Sequence, residues 1–250
     1  MSKKILVIQH VPNEGLGTFE DELKLQNLTW ETFVPSGDAI FPSGGKIEEY
    51  GALIVLGGPM GAYEEDKYPW LKRENLVIQE ALRQKKPILG VCLGSQLLAK
   101  AIGHGGRVYK GPKAEIGWYP IKLDDWFYKR NPLFFQMDPK KAHIVFQWHH
   151  DTFDIPTEGY RLAWNDNYPN QAFCFQGNAV GLQFHAEVTE AMIKDWLKSD
   201  DAKLDAMKAG HDPARIVMDI TKNLPVLRET AHKIIYGFTS LIRENIRRVA

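Results

Sequence analysis

The sequence predicts an α/β fold: a mainly parallel open sheet flanked by helices, with antiparallel strand additions and a C-terminal helical extension. Three observations predict it. Short apolar runs alternate with amphipathic stretches over roughly the first hundred residues, the pattern of repeated β-α-β units. After Gly103, strand-like runs follow one another without helices between them. From residue 189 onward the apolar spacing becomes helical.

Each element follows from its residues. Ser2-Lys3-Lys4 before Ile5-Leu6-Val7-Ile8 has the charge-then-apolar order of a secretory leader. The apolar run is too short and lacks a small-residue cleavage site, so residues 4–9 read as the first strand. A helix from about Thr18 and a strand over 28–33 follow. Leu53-Ile54-Val55-Leu56 is a strand that breaks into Gly57-Gly58-Pro59-Met60-Gly61. Residues 70–85 form an amphipathic helix leading into a strand over 88–91. Segments 118–123, 143–147, 161–164, 172–175 and 179–184 read as the added strands. In the tail, Asp212-Pro213 reads as a helix cap and first residue, and Pro225 as the opening of the last helix. There Leu227, Ala231, Ile234, Phe238 and Leu241 recur at spacings of four and three, an apolar stripe expected to pack back onto the domain. Arg243, Arg247 and Arg248 read as a solvated face.

Composition bounds the function. The chain has 250 residues, 44% hydrophobic and 25% charged, enough for a substantial core. A formal net charge of +0 gives no bulk attraction to nucleic acid or to an anionic membrane, and no apolar run spans a bilayer. Cys92 and Cys174 are the two cysteines; Cys174, in the alternating run Ala172-Phe173-Cys174-Phe175, reads as a buried structural thiol. A disulfide between them would silence Cys92, so a reducing, cytoplasmic setting is expected. Gly103-His104-Gly105-Gly106 and Pro42-Ser43-Gly44-Gly45-Lys46 do not complete a phosphate loop. His149-His150-Asp151 has no second ligand group at a recognisable spacing, so no metal and no cofactor is implied.

The chemistry concentrates at Gly90-Val91-Cys92-Leu93-Gly94, between an apolar strand and a helical pattern. A lone Cys on an apolar strand is most often a small buried hydrophobe. Strand, sharp turn and helix around Gly-x-Cys-x-Gly is, however, the form of a nucleophile elbow, whose strained turn needs glycines where side chains would collide. It also puts the sulfur at a helix N-terminus, where thiolate is favoured. Far downstream, Gln183-Phe184-His185-Ala186-Glu187 ends a buried strand; residues two apart in extended chain share a side, and a curling strand end would equally bring Glu187 near His185. Cys92 as nucleophile, His185 as base and Glu187 as the carboxylate that orients it complete a triad. Acyl transfer also needs two donors for the oxyanion. The Leu93 N–H is the first candidate and Gly58, in the glycine-rich bend, the second.

Together Gly57-Gly58-Pro59, Gly90-Val91-Cys92-Leu93-Gly94-Ser95-Gln96 and Gln183-Phe184-His185-Ala186-Glu187 resemble the three signatures of class I, triad-type, glutamine amidotransferases, above all the stand-alone glutaminase domains similar to that of GMP synthase. Glu115-Ile116-Gly117-Trp118 and Trp148-His149-His150-Asp151 fit that branch. Ala186 departs from the proline usual between the His and Glu. The resemblance covers about residues 4–188 and implies a flavodoxin-like catalytic domain over 1–188, with 189–250 a helical extension packed on it. It implies that Cys92 attacks the glutamine amide to form a γ-glutamyl thioester, with Gly58 and Leu93 at the oxyanion. Gln96 would contact the glutamine, and His150 and Asp151 would lie in a loop beside its α-amino and α-carboxyl groups. A separate synthase that accepts the ammonia is the implied partner.

Two other functions share these residues. A γ-glutamyl hydrolase or peptidase uses the same acyl chemistry on a different leaving group. A non-catalytic regulatory or binding protein would have no need of an activated thiol. The α/β-hydrolase elbow is set aside because its acid precedes its histidine, whereas Glu187 follows His185.

Overall fold

Four short, apolar, β-branched segments form the centre of the sheet in parallel register: β1 (Ile5–Ile8), β3 (Ala52–Val55), β4 (Ile88–Val91) and β9 (Ala179–Leu182), every residue of them buried. The structure, a computed structural model, describes residues 4–36, 41–42, 45–126 and 131–249. The readings of Ser2, Lys3, Ser43, Gly44 and the Arg248 side chain fall outside what is described.

β2 (Trp30–Phe33) pairs parallel with the outer side of β1. Three further strands continue the sheet antiparallel beyond β9: β8 (Ala172–Phe175), β7 (Tyr160–Trp164) and β5 (Val108–Leu123), with β6 (His143–Phe153) folded back on β5. The order is β2-β1-β3-β4-β9-β8-β7-β5-β6. Its parallel part has the 2-1-3-4-5 order of flavodoxin-like sheets, which place ligands beyond the carboxyl ends of the strands.

Successive strand residues face opposite sides, and two cores follow. Ile5, Val7, Ile54 and Leu89 pack with α1 (Phe19–Leu25) and α8 (Ile220–Val249). Leu6, Ile8, Leu53, Val55 and Ile88 pack with α2 (Gly45–Glu48), α3 (Trp70–Arg83) and α4 (Leu93–Ile102). The tail also forms α5 (Glu190–Trp196), α6 (Asp200–Lys208) and α7 (Pro213–Met218), capped by Thr189, Ser199 and Asp212 side chains.

Three local readings need correction. Pro225 does not open the last helix but lies inside α8. The apolar stripe continues back through Leu224 and Ile220, both buried, and that packing outweighs the single ladder bond a proline removes. β5 begins at Val108 rather than Trp118, because a register shift between Lys110 and Glu115 hides the alternation. His150 and Asp151 lie on β6, not in a loop, and Asp151 pairs with Lys110 at the start of β5.

Candidate active site

Cys92 sits at the N-cap of α4 with φ +50° and ψ −109°, a conformation that L-residues rarely adopt. The glycines beside it make the turn possible. A Cβ at Gly90 would lie 2.5 Å from the Gly94 carbonyl oxygen, and one at Gly94 would lie 2.0 Å from the Val55 carbonyl oxygen. Helix α4 therefore packs backbone against backbone on β3 and β4, and the thiol stands at the carboxyl edge of the sheet.

His185 follows the end of β9, and its backbone N–H donates to the Phe146 carbonyl at 2.8 Å. Its Nδ1 donates to Glu187 Oε1 at 2.7 Å, both side chains being buried. Burial opposes a charge on this imidazole, but Glu187 and then the neighbouring Cys92 hold its pKa well above the usual histidine range. Gly57, at the end of β3, provides the space between them: a Cβ there would lie 3.0 Å from His185 Cε1 and 3.7 Å from Cys92 Cβ. The loop after β1 holds Glu187 from behind. Thr18 donates to the Glu187 carbonyl through its N–H at 2.7 Å and its Oγ1 at 3.1 Å.

These groups open onto a cleft of about 590 Å³. Gly58 and Leu93 line it, and among the described residues neither N–H has an acceptor within the protein. Leu93 is the first residue of α4, so its N–H has no helical partner. Gln96, buried on α4, donates through Nε2 to the Asp151 carbonyl at 3.3 Å and to Gln183 Oε1 at 3.4 Å. Asp151 Oδ1 accepts from the Tyr63 hydroxyl at 3.1 Å, and His150 Nε2 donates to Asp205 Oδ1 at 3.0 Å. The structure thus brings seven of the sequence-predicted site residues to the walls of one cleft, with Glu187 directly behind His185. Beneath it, Glu115 accepts from His149 Nε2 at 3.1 Å, from Asn165 at 2.9 Å and from Gln171 at 2.7 Å. Burial raises the Glu115 pKa, but the bonds from His149, from Asn167 at 2.6 Å and from Asn165 outweigh it and hold the carboxyl low.

Sequence reasoning missed several lining residues. Glu14, from the loop after β1, lines the cleft near His185; burial raises its pKa, against the opposing pull of His185. Trp196 of α5 packs edge-on to the His185 ring at 5.0 Å, and Asp205 comes from α6, so the tail supplies one wall. Nothing in the local sequence marks either; the signal is long-range packing. Cys174 lies fully buried on β8, and burial pushes its thiol up to about 11. Among the described residues no helix is long and apolar enough to cross a membrane.

A flavodoxin-like sheet with a cysteine elbow at the end of β4 and a buried His–Glu pair beside it places the chain among the α/β proteins. Within them it belongs to the glutamine amidotransferase class-I family, whose model matches residues 33–198. A crystal structure of a glutamine amidotransferase from Thermotoga maritima is 35% identical, with a TM-score of 0.79, over 97% of this chain and 99% of that one. The glutamine amidotransferase-like protein YfeJ of Salmonella typhimurium is 29% identical over 71% of this chain and 72% of its own length. Gamma-glutamyl peptidase 5 of Arabidopsis thaliana is 25% identical over 62% of this chain and 61% of its own. Glutamine-hydrolyzing GMP synthases also match, but the chain spans only 25–27% of the length of those from Spiroplasma kunkelii, Campylobacter hominis and Thermosipho melanesiensis.

Proposed function

We propose that the protein hydrolyses the side-chain amide of glutamine through a γ-glutamyl thioester on Cys92, releasing ammonia and then glutamate. The observation that carries this reading is the strained Cys92 elbow in one cleft with His185, whose Nδ1 lies 2.7 Å from Glu187 Oε1, and with two N–H groups that find no acceptor among the described residues. Cys92 Sγ attacks the amide carbonyl while His185 accepts the thiol proton. The tetrahedral oxyanion receives hydrogen bonds from the Gly58 and Leu93 N–H groups. His185 returns the proton to the departing nitrogen, ammonia leaves, and a water activated by the same imidazole cleaves the thioester. Glu187 holds the imidazole tautomer throughout. Gln96 contacts the bound glutamine, and His150 and Asp151 lie beside its α-amino and α-carboxyl groups. Residues 1–188 form the catalytic domain in this reading and 189–250 an extension of it. A separate synthase is the partner that consumes the ammonia, and the reducing cytoplasm is the setting that keeps Cys92 free.

A second reading, γ-glutamyl peptidase, is favoured by one observation. The chain is 25% identical to gamma-glutamyl peptidase 5 of Arabidopsis thaliana over 62% of its length, so a relative named for that activity shares this scaffold. Glutamate release from glutamine and from a panel of γ-glutamyl dipeptides, compared between wild type and Cys92→Ser, tests both. Release from glutamine alone, abolished in the variant, supports the glutaminase. Faster cleavage of dipeptides supports the peptidase. Release that persists in the variant refutes both.

A further inference from the structure

His10 and Glu74 have no role in the reaction above, yet both side chains are fully buried against each other. His10 Nε2 lies 3.0 and 3.1 Å from the two carboxylate oxygens of Glu74. Its Nδ1 lies 2.7 Å from the Gly57 carbonyl oxygen. A carbonyl can only accept, so Nδ1 carries the hydrogen and donates it. Trp70 stacks on the ring at 5.5 Å between centroids and fixes its plane. Burying such a pair among apolar side chains is costly, and replacement by apolar residues of similar size is often neutral for stability. Its effect is felt at the peptide it grips.

That peptide joins two glycines. With no Cβ on either side, the Gly57–Gly58 unit can rotate end over end at little steric cost. In a trans peptide the C=O and N–H point in opposite directions. Anchoring the Gly57 oxygen on His10 therefore fixes the Gly58 N–H pointing away from His10. The space around the unit is tight: a Cβ at Gly58 would lie 2.9 Å from His10 Cβ and 3.1 Å from Leu93 Cδ2. Leu93 carries the other candidate donor.

We infer that the buried His10–Glu74 pair is a positioning device that holds the Gly57 carbonyl so that the Gly58 N–H stays aimed at the oxyanion formed on Cys92. The inference rests on the proposed function, in which Gly58 is an oxyanion donor. A hydrogen bond on the carbonyl side also polarises the peptide and strengthens its N–H as a donor. Burial opposes a charge on His10, but Glu74, aided by the Gly57 carbonyl and by the more distant Glu14, raises its pKa, which favours the doubly donating imidazolium. The donor is thus set by the chain's own interior and needs no partner to orient it.

The test measures kcat and KM for His10→Leu, His10→Asn and Glu74→Gln on whichever γ-glutamyl amide wild type hydrolyses, with Cys92→Ser as the blank. A second readout is the rate at which iodoacetamide alkylates Cys92. That displacement forms no oxyanion, so it does not use the Gly58 N–H. His10→Leu is expected to lower kcat about 100-fold, the loss typical of one oxyanion donor, while KM and the alkylation rate stay within about threefold. His10→Asn, whose amide donates from near the Nδ1 position, is expected to recover most of kcat, and Glu74→Gln to fall between. A His10→Leu enzyme with undiminished kcat overturns the inference, as does a kcat that falls only together with alkylation, or an Asn variant no better than Leu. A wild type that cleaves no γ-glutamyl amide overturns the proposed function instead, and this inference with it.

Discussion

Gly94→Ala probes the elbow where it is tightest. A Cβ at this position lands 2.0 Å from the Val55 carbonyl oxygen, 2.6 Å from its carbon and 3.0 Å from its Cβ. Normal carbon contacts are about 3.5 Å, so α4 and β3 must separate by about 1 Å or more. Strand β3 is held by parallel pairing to β1 on one side and β4 on the other, which leaves the helix to move. Overpacking a core costs about 1–3 kcal/mol, and because the obstruction is backbone we place this variant near 3 kcal/mol. Cys92 and Leu93 open α4, so the same shift carries the thiol and the Leu93 N–H out of line, and about 1 Å of misplacement costs about 100-fold in rate. Urea denaturation and kcat on the best γ-glutamyl substrate measure the two effects. Gly15→Ala is the control, since the nearest atoms to its Cβ are those of the Gln9 side chain, at 3.6 to 3.8 Å. A Gly94→Ala protein within about 1 kcal/mol and about threefold of wild type would refute the packing account.

Four further outcomes follow from the same geometry. Glu187→Gln removes a buried charged hydrogen bond of 2.7 Å, worth about 1.5–3 kcal/mol, so kcat should fall at least about 10- to 150-fold; a smaller loss would show that Glu187 does not orient His185. Because Glu187 is the main group raising the His185 pKa, that variant should also lose stability that wild type has in full below about pH 6.5 and gives up as pH rises through the folded His185 value; urea midpoints across pH read this. Gly17→Ala, at φ +51°, puts a Cβ 2.0 Å from the Glu187 carbonyl oxygen, and should lower stability and kcat together by displacing Glu187; an unchanged kcat would contradict the bracing role of that loop. Cys174, its thiol pushed up to about 11 by burial, should stay unlabelled by iodoacetamide at pH 8 in the folded protein while Cys92 reacts, as peptide mass spectrometry will show.

The parts of the site that sequence reveals are those governed by local rules. The elbow is readable because a left-handed cysteine with close backbone packing demands glycine at 90 and 94. His185 and Glu187 are readable because they stand two residues apart where an apolar strand run ends, although β9 stops at Leu182 and it is the bending chain over 183–187, not an extended one, that brings them together. The central strands are readable from unbroken apolar runs, as parallel sheets buried on both faces require. What stayed hidden depends on contacts with no spacing rule. His10 and Glu74 are 64 residues apart, and nothing in either segment announces the other. Glu14 sits in a loop whose burial comes from the fold around it. Trp196 and Asp205 reach the cleft through contacts far away in sequence, Trp196 Nε1 donating to the Asn13 carbonyl and Asp205 accepting from His150. The bulge after Lys110 broke the alternation that would have shown β5 at full length, and Pro225 misled because apolar packing on both sides of it overrides its helix-breaking tendency.

The central claim is that Cys92 carries the acyl group. The most direct test quenches wild type with acid during turnover of glutamine or a γ-glutamyl dipeptide, then weighs the intact protein and maps the adduct to a peptide. The account predicts a γ-glutamyl adduct on the peptide containing Cys92, with both adduct and turnover absent from Cys92→Ala. Hydrolysis that continues in Cys92→Ala would contradict it.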